Sequence, residues 1–238
     1  MPRAIARTSG KSVATTSKAP RAISSPDKVV EAITKGILAR RFGAGHRLVE
    51  ADLANSLNVS RGTVREALKK LAAQGVVRLS PHRGAAIRPL GRLEAEQLVA
   101  VLEVLCGLAA RLAAQNIAQG KPRERFKAAS DLVTGMSEAG SEQFLVDRAN
   151  YYALILDIAD NAELNRLMPV PQIHLFRSQF QSFLRAKDIR AMKKEYSDVS
   201  ESILDGNAAL AETRMRKHMR KTLDRLVGIG DEAFDQSY

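Results

Sequence analysis

Several architectures are closed to this 238-residue chain by what it lacks. A single cysteine, Cys106, leaves no internal disulfide, so a reducing compartment is expected. The most apolar stretch, 97–118, is interrupted by Glu103 and Arg111, and no membrane span is expected. No phosphate-binding glycine loop, nucleophile elbow or paired-carboxylate motif stands at a spacing that would support catalysis, so an enzyme is not expected. Acidic residues are absent from the first 26 positions.

That last absence leads to the main compositional feature, a formal charge of +11. Residues 1–26 carry five basic side chains and no acidic one, and residues 27–91 carry twelve against five. Residues 92–238 carry twenty against twenty-one. The excess therefore lies in the N-terminal third, the distribution expected of a polyanion-binding module joined to a neutral second domain. With 45% hydrophobic residues there is enough apolar side chain for real cores.

Residues 1–25 read as a disordered basic arm, too polar to bury a core. At Ser25-Pro26 a helical pattern begins: Ser25 suits the cap, Pro26 the first turn, and Val29, Val30, Ile33, Ile37 and Leu38 the buried face, with an end near Phe42-Gly43. Gly43 to Leu48 reads as a loop, followed by a short helix through Leu53, Ala54 and Leu57. A third helix is capped by Ser60, buries Val64, Ala67, Leu68 and Leu71, and stops at Gly75. Val76–Leu79 and Ala85–Arg88 form a hairpin. This order predicts a winged helix-turn-helix over 26–90. From 91 to 230 the pattern is helical throughout, with helices expected near 93–118, 122–138, 141–159, 161–184, 188–204 and 207–228, and a short tail over 231–238. The fold class is mainly α: a winged domain followed by an all-α bundle.

The helix after Ser60 suits a major groove, whose base edges are read by the first turns of such a helix. Arg61 and Arg65 lie four apart, Thr63 beside them, and Gly62 leaves the backbone close to phosphates. His82, Arg83 and Gly84 at the hairpin tip suit the adjacent minor groove, and Arg47 and Ser60 suit phosphate contacts.

The stretch GHRLVEADLANSLNVSRGTVREALKKLAAQGVVRLSPHRGAAI resembles the winged domain of GntR-family bacterial transcription regulators over residues 27–88, and the helical remainder is similar to the FCD effector domain of the FadR subfamily. The resemblance implies a cytoplasmic, nucleoid-associated homodimer on a palindromic double-stranded operator. It also implies a small-molecule effector in the bundle, with no membrane involved. Many FCD domains hold a divalent metal with an aspartate and a histidine four residues apart plus two later histidines. In register, those positions hold Arg148, Tyr152, Tyr196 and His218 here, and a slip by one pairs Asp147 with Tyr151. One histidine with tyrosine and arginine is a poor ligand set, so neither a metal nor another cofactor is expected. Arg148 is expected to supply the positive charge instead, with Tyr152, Tyr196 and His218 as hydrogen-bonding groups and Arg177 and His174 beside them, for a carboxylate or phosphate effector. A second reading is an architectural DNA binder whose bundle senses nothing.

Overall fold

The computed structural model describes residues 24–81, 84–117, 120–135 and 142–234; nearly all of the expected basic arm lies outside the described residues. The first helix, α1 (Ser25–Leu38), is capped by Ser24, whose Oγ accepts from the Asp27 N–H at 3.3 Å. The cap thus falls one residue earlier than the sequence pattern placed it. The helix also stops before Phe42, because Arg40 turns into the left-handed region at φ 54°. Val29, Ile33 and Ile37 recur at helical spacing and are fully buried.

A two-residue strand β1 (Arg47–Leu48) precedes α2 (Glu50–Leu57), which ends on Asn58 at φ 51°, then α3 (Arg61–Ala73), β2 (Val77–Ser80) and β3 (Gly84–Ile87). The end of the expected loop at 43–48 is therefore a strand: Arg47 pairs with Ala86 and Leu48 with Ala85, and the sheet runs β1-β3-β2, antiparallel throughout. The wing is three-stranded, and β1 ties the entrance of α2 to the hairpin. Ser60 caps α3, and Gly75 at φ 70° supplies the left-handed residue that ends it.

The bundle contains α4 (Arg92–Asn116), α5 (Lys121–Gly135), α6 (Glu142–Ala159), α7 (Ala162–Leu167), α8 (Val170–Phe180), α9 (Ala186–Leu204) and α10 (Ala208–Val227). The continuous helix expected over 161–184 is broken in two. Pro169 holds Met168 in an extended conformation, and α8 closes with a 3-10 turn at Gln181–Phe183. The expectation that no segment is apolar enough for a membrane also needs correction. By length and composition α4 is, with a mean hydropathy of 1.7 over its best window, since Glu103 and Arg111 are only two charges in it. Packing accounts for that apolarity on one side, where Ala109, Ala110, Ala113 and Ala114 are buried in the bundle core.

One core lies wholly within the bundle, around Phe126, Phe144, Tyr151, Tyr196 and Met215. The other is shared between the domains: Leu175, Phe176 and Phe180 of α8, with Val99, Leu226 and Phe234, join the winged-domain residues Ile33, Leu71 and Leu90. Each such side chain contributes roughly 1.5–3 kcal/mol by leaving water. Polar contacts reinforce the seam. Gln179 Oε1 accepts from the Leu90 N–H at 2.8 Å, and its Nε2 donates to Leu90 O at 3.1 Å and Ala233 O at 2.9 Å. Gln172 Nε2 donates to Gln74 O at 2.7 Å. Phe180 stacks on Phe234 at 5.0 Å, so the first residues of the expected C-terminal tail dock as a 3-10 turn, Asp231–Ala233, against α8.

Candidate functional site

The first candidate site is the outer face of α3. Its inner stripe, Val64, Ala67, Leu68 and Leu71, is buried, which turns Arg61, Gly62 and Arg65 outward. Ser60 Oγ accepts from the Thr63 N–H at 3.1 Å and lies 2.9 Å from Thr63 Oγ1, so the two hydroxyls satisfy one another at the helix start. Arg65 Nε donates to Glu50 Oε2 on α2 at 2.8 Å. Lys69 pairs with Glu66, and Lys70 with Asp27 of α1. Arg61 has no ion-pair partner among the described residues and is exposed. A Cβ at Gly62 would meet only Ser60 Oγ at 3.6 Å, so packing does not demand glycine there. Arg47 is exposed on β1, and Gly84, at φ 78°, opens β3. His82 and Arg83 lie outside the described residues.

The second site is a cavity of about 860 Å³, counting its mouth, between α4, α6, α8 and α10. Its walls are mostly apolar, including Val99, Leu102, Ile155, Met168, Ile173, Met215 and Met219. Four of the five residues singled out for an effector, Arg148, Tyr152, Arg177 and His218, line it, as does His174. The fifth, Tyr196, stands behind them: its hydroxyl accepts from Arg148 Nε at 2.8 Å, and its ring lies 4.9 Å from that of His218. Arg148 Nη1 also donates to Gln181 Oε1 at 3.3 Å. The Arg177 guanidinium lies over the Tyr152 ring, 4.5 Å from its centre.

His218 Nδ1 is 2.7 Å from Glu195 Oε2, and Arg225 donates to the same carboxylate at 2.6 and 3.2 Å. Burial pushes the Glu195 carboxyl up, but hydrogen bonds from His218 and Arg225 outweigh it and hold it at about 2. Burial pushes His218 down more than Glu195 lifts it, so the ring is neutral, Nδ1 donates, and Nε2 is left as an acceptor with no partner. Tyr152 Oη is likewise buried without a partner. Burial pushes the thiol of Cys106, on the cavity wall, up to about 12, which keeps it protonated and unreactive.

Two guanidinium-bearing residues, two phenols and two imidazoles, that of His218 engaged by a carboxylate at its other nitrogen, do not make a divalent-metal site, because neither a guanidinium nor a protonated phenol is a metal ligand and two imidazoles alone are too few. Among the described residues no three His, Cys, Asp or Glu side chains are grouped to hold one. Glu195, Gln181 and Arg225 had not been singled out from the sequence. The available signal for Glu195 was its place beside Tyr196; nothing local marks the other two.

Residues 26–87 match the family model described as bacterial regulatory proteins, gntR family, and residues 97–221 match the FCD domain model. The chain belongs to the GntR family, with an FCD domain. Among its relatives, a probable D-xylose utilization operon transcriptional repressor of Paenarthrobacter nicotinovorans is 29% identical over 59% of this chain, and the match spans 60% of that protein's length. LutR of Bacillus subtilis (strain 168) is 26% identical over 76% of this chain and 90% of its own. In fold, this GntR protein resembles E. coli McbR/YncC, with a TM-score of 0.73, 15% identity and coverage of 87% and 98% of the two chains. It also resembles a GntR regulator from Rhodococcus sp. RHA1, with a TM-score of 0.64, 19% identity and coverage of 86% and 98%. This GntR protein is a DNA-binding transcription regulator with an effector-binding domain, not an enzyme.

Proposed function

We propose that this regulator is a ligand-responsive repressor that binds a palindromic operator as a dimer. In this reading Arg61 and Arg65 address base edges, while Arg47, Ser60, Gly62 and Thr63 approach phosphates. The wing tip, His82, Arg83 and Gly84, enters the neighbouring minor groove. A carboxylate-bearing small molecule in the FCD cavity alters operator affinity. One observation carries the coupling: α8 lines the cavity with Ile173, His174 and Arg177, and the same helix is sewn to the winged domain through Gln172, Gln179 and the shared core. An occupant that displaces α8 therefore acts on an element that also sets the position of α1 and α3.

Dimerisation is supported by the outer side of α4, where Val101 and Val104, three apart, stay exposed while the other side is buried. It is also supported by the short reach of a single recognition helix, which reads few base pairs. Regulators named as repressors among the relatives support the direction of control. A cytoplasmic location accords with a DNA partner. The test is an anisotropy titration on a palindrome selected from random DNA by the protein itself, against random duplex, across salt. Strong preference for the palindrome, bound at two chains per duplex, is expected; equal affinity would favour an architectural DNA binder.

A further inference from the structure

The inference rests on the reading of the FCD cavity as the effector site, and concerns what that site selects. Hydrogen-bond donors exceed acceptors there. An arginine offers five N–H groups. Arg148 directs Nε to Tyr196 and one Nη1 hydrogen to Gln181, and neither bond goes to a carboxylate. Arg177 has only the Tyr152 ring beneath it among the described residues. Gln181 Nε2 is buried with no acceptor. Both arginines are more than nine-tenths buried. Beyond burial, the strongest influences on Arg177 come from Arg148, Tyr152, Tyr196 and Cys106, and neither arginine makes an ion pair among the described residues. Glu195, the carboxylate that holds His218, is already engaged by His218, Arg225 and Lys221.

Two buried like charges without a counter-charge are costly unless something completes them, and a carboxylate or phosphate completes guanidinium forks best. The remainder of the cavity limits the body attached to that anion. Val99, Leu102, Ile155, Met168, Met215 and Met219 present no cation, and a second anionic group against them would be desolvated without compensation. His174 adds no charge: burial and Arg177 hold its imidazole down at about 4, so it is neutral near pH 7.

We propose that Arg148 and Arg177, which line the same cavity, form a metal-independent clamp for an organic monocarboxylate with an apolar body. The Tyr152 hydroxyl, buried on the cavity wall without a partner, supplies a further donor at the head. His218 Nε2 accepts from any hydroxyl the ligand carries close to it.

The 238-residue chain, dialysed against EDTA, is titrated by calorimetry and thermal shift with hexanoate, octanoate and 3-phenylpropanoate, with 3-phenylpropanamide as the neutral counterpart and suberate as the dicarboxylate. Inorganic phosphate is included to separate a bare oxyanion from an acid with an apolar body. At least one monocarboxylate is expected to bind and raise the melting temperature in EDTA, with the amide, suberate and phosphate at least tenfold weaker. Arg177→Met is expected to lose at least tenfold in that affinity while melting about 2–4 °C higher without ligand, because an uncompensated buried charge has gone. Arg177→Lys, which keeps the charge without the fork, serves as a folded control and should bind more weakly than wild type. The clamp is overturned if no monocarboxylate of the set binds, if the amide, suberate or phosphate binds as well, or if binding requires added Zn²⁺ or Mn²⁺. Palindrome binding is measured on the same samples. A monocarboxylate that binds without changing DNA affinity leaves the clamp standing and removes the regulatory reading; release of DNA by a neutral molecule or a metal chelate does the reverse.

Discussion

Gln179→Ala is the sharpest probe of the seam between the domains. The side chain satisfies both backbone groups of Leu90 and the carbonyl of Ala233, and Leu90 is 1% exposed, so water does not reach it in the native state. Truncation leaves a buried donor and acceptor unmade, each worth about 1–3 kcal/mol. Water entering the vacated space recovers part of this, so a net loss of about 2–4 kcal/mol is expected. For a chain of this size 1 kcal/mol corresponds to about 2–4 °C, and scanning calorimetry should show a fall of roughly 4–16 °C. Gln179 does not line the effector cavity, so affinity for a carboxylate should stay within about twofold of wild type, while the change in DNA affinity that the carboxylate produces should shrink. A melting temperature within about 1 °C of wild type, with the DNA response intact, would refute the claim that this side chain fastens α8 to the winged domain.

Other expectations concern the two sites separately. Arg65→Ala should weaken palindrome binding by about ten- to a hundredfold, the equivalent of roughly 1–3 kcal/mol for one bidentate base contact, and weaken random-duplex binding far less; equal losses on both DNAs would reduce Arg65 to a phosphate contact. Acidification should destabilise the protein, because the unfolded His174 titrates near 6.5 while in the fold it is held at about 4. Its penalty is absent above pH 6.5 and grows as pH falls from 6.5 toward 4, the range in which the unfolded chain binds more protons. Unfolding free energies from urea titrations at pH 7.5 and 5.0 should differ by about 1–2 kcal/mol more in wild type than in His174→Gln. Glu195, held at about 2, adds a loss confined to pH below its ordinary value of 4.5. Val101→Glu should shift sedimentation toward the monomer if the outer side of α4 carries the dimer contact, and an unchanged profile would direct attention to another face.

The parts of the fold that local chemistry dictates were legible from residues alone. Ser60 before a helical stripe and Gly75 after it each have a single-residue cause. The strand Arg47–Leu48 was not legible, because two residues carry no periodicity and their pairing to Ala85 and Ala86 is fixed by chain nearly forty residues away. The break between α7 and α8 could have been seen: Pro169 and Pro171 stand in the sequence, but the apolar spacing on either side continues through them. In the cavity, family register brought Arg148, Tyr152, Tyr196 and His218 together because each holds a fixed position on a matched helix. Gln181 and Arg225 escaped because their roles exist only where α6, α8, α9 and α10 meet. Gln179 escaped for a similar reason, since its partners are the backbone of a linker and of the C-terminal turn.

The Arg65–Glu50 pair has a consequence for how such a protein searches DNA. Arg65 is largely exposed, and an ion pair of that kind contributes less than about 1 kcal/mol, so breaking it is cheap but not free. A single phosphate oxygen met while sliding offers the guanidinium little more than Glu50 already does, and salt screens it. A guanine edge offers O6 and N7 together. Under the proposed reading, α2 therefore holds the arginine in reserve during one-dimensional travel and yields it only to a two-acceptor partner. The pair thus works as a small threshold separating scanning from arrest.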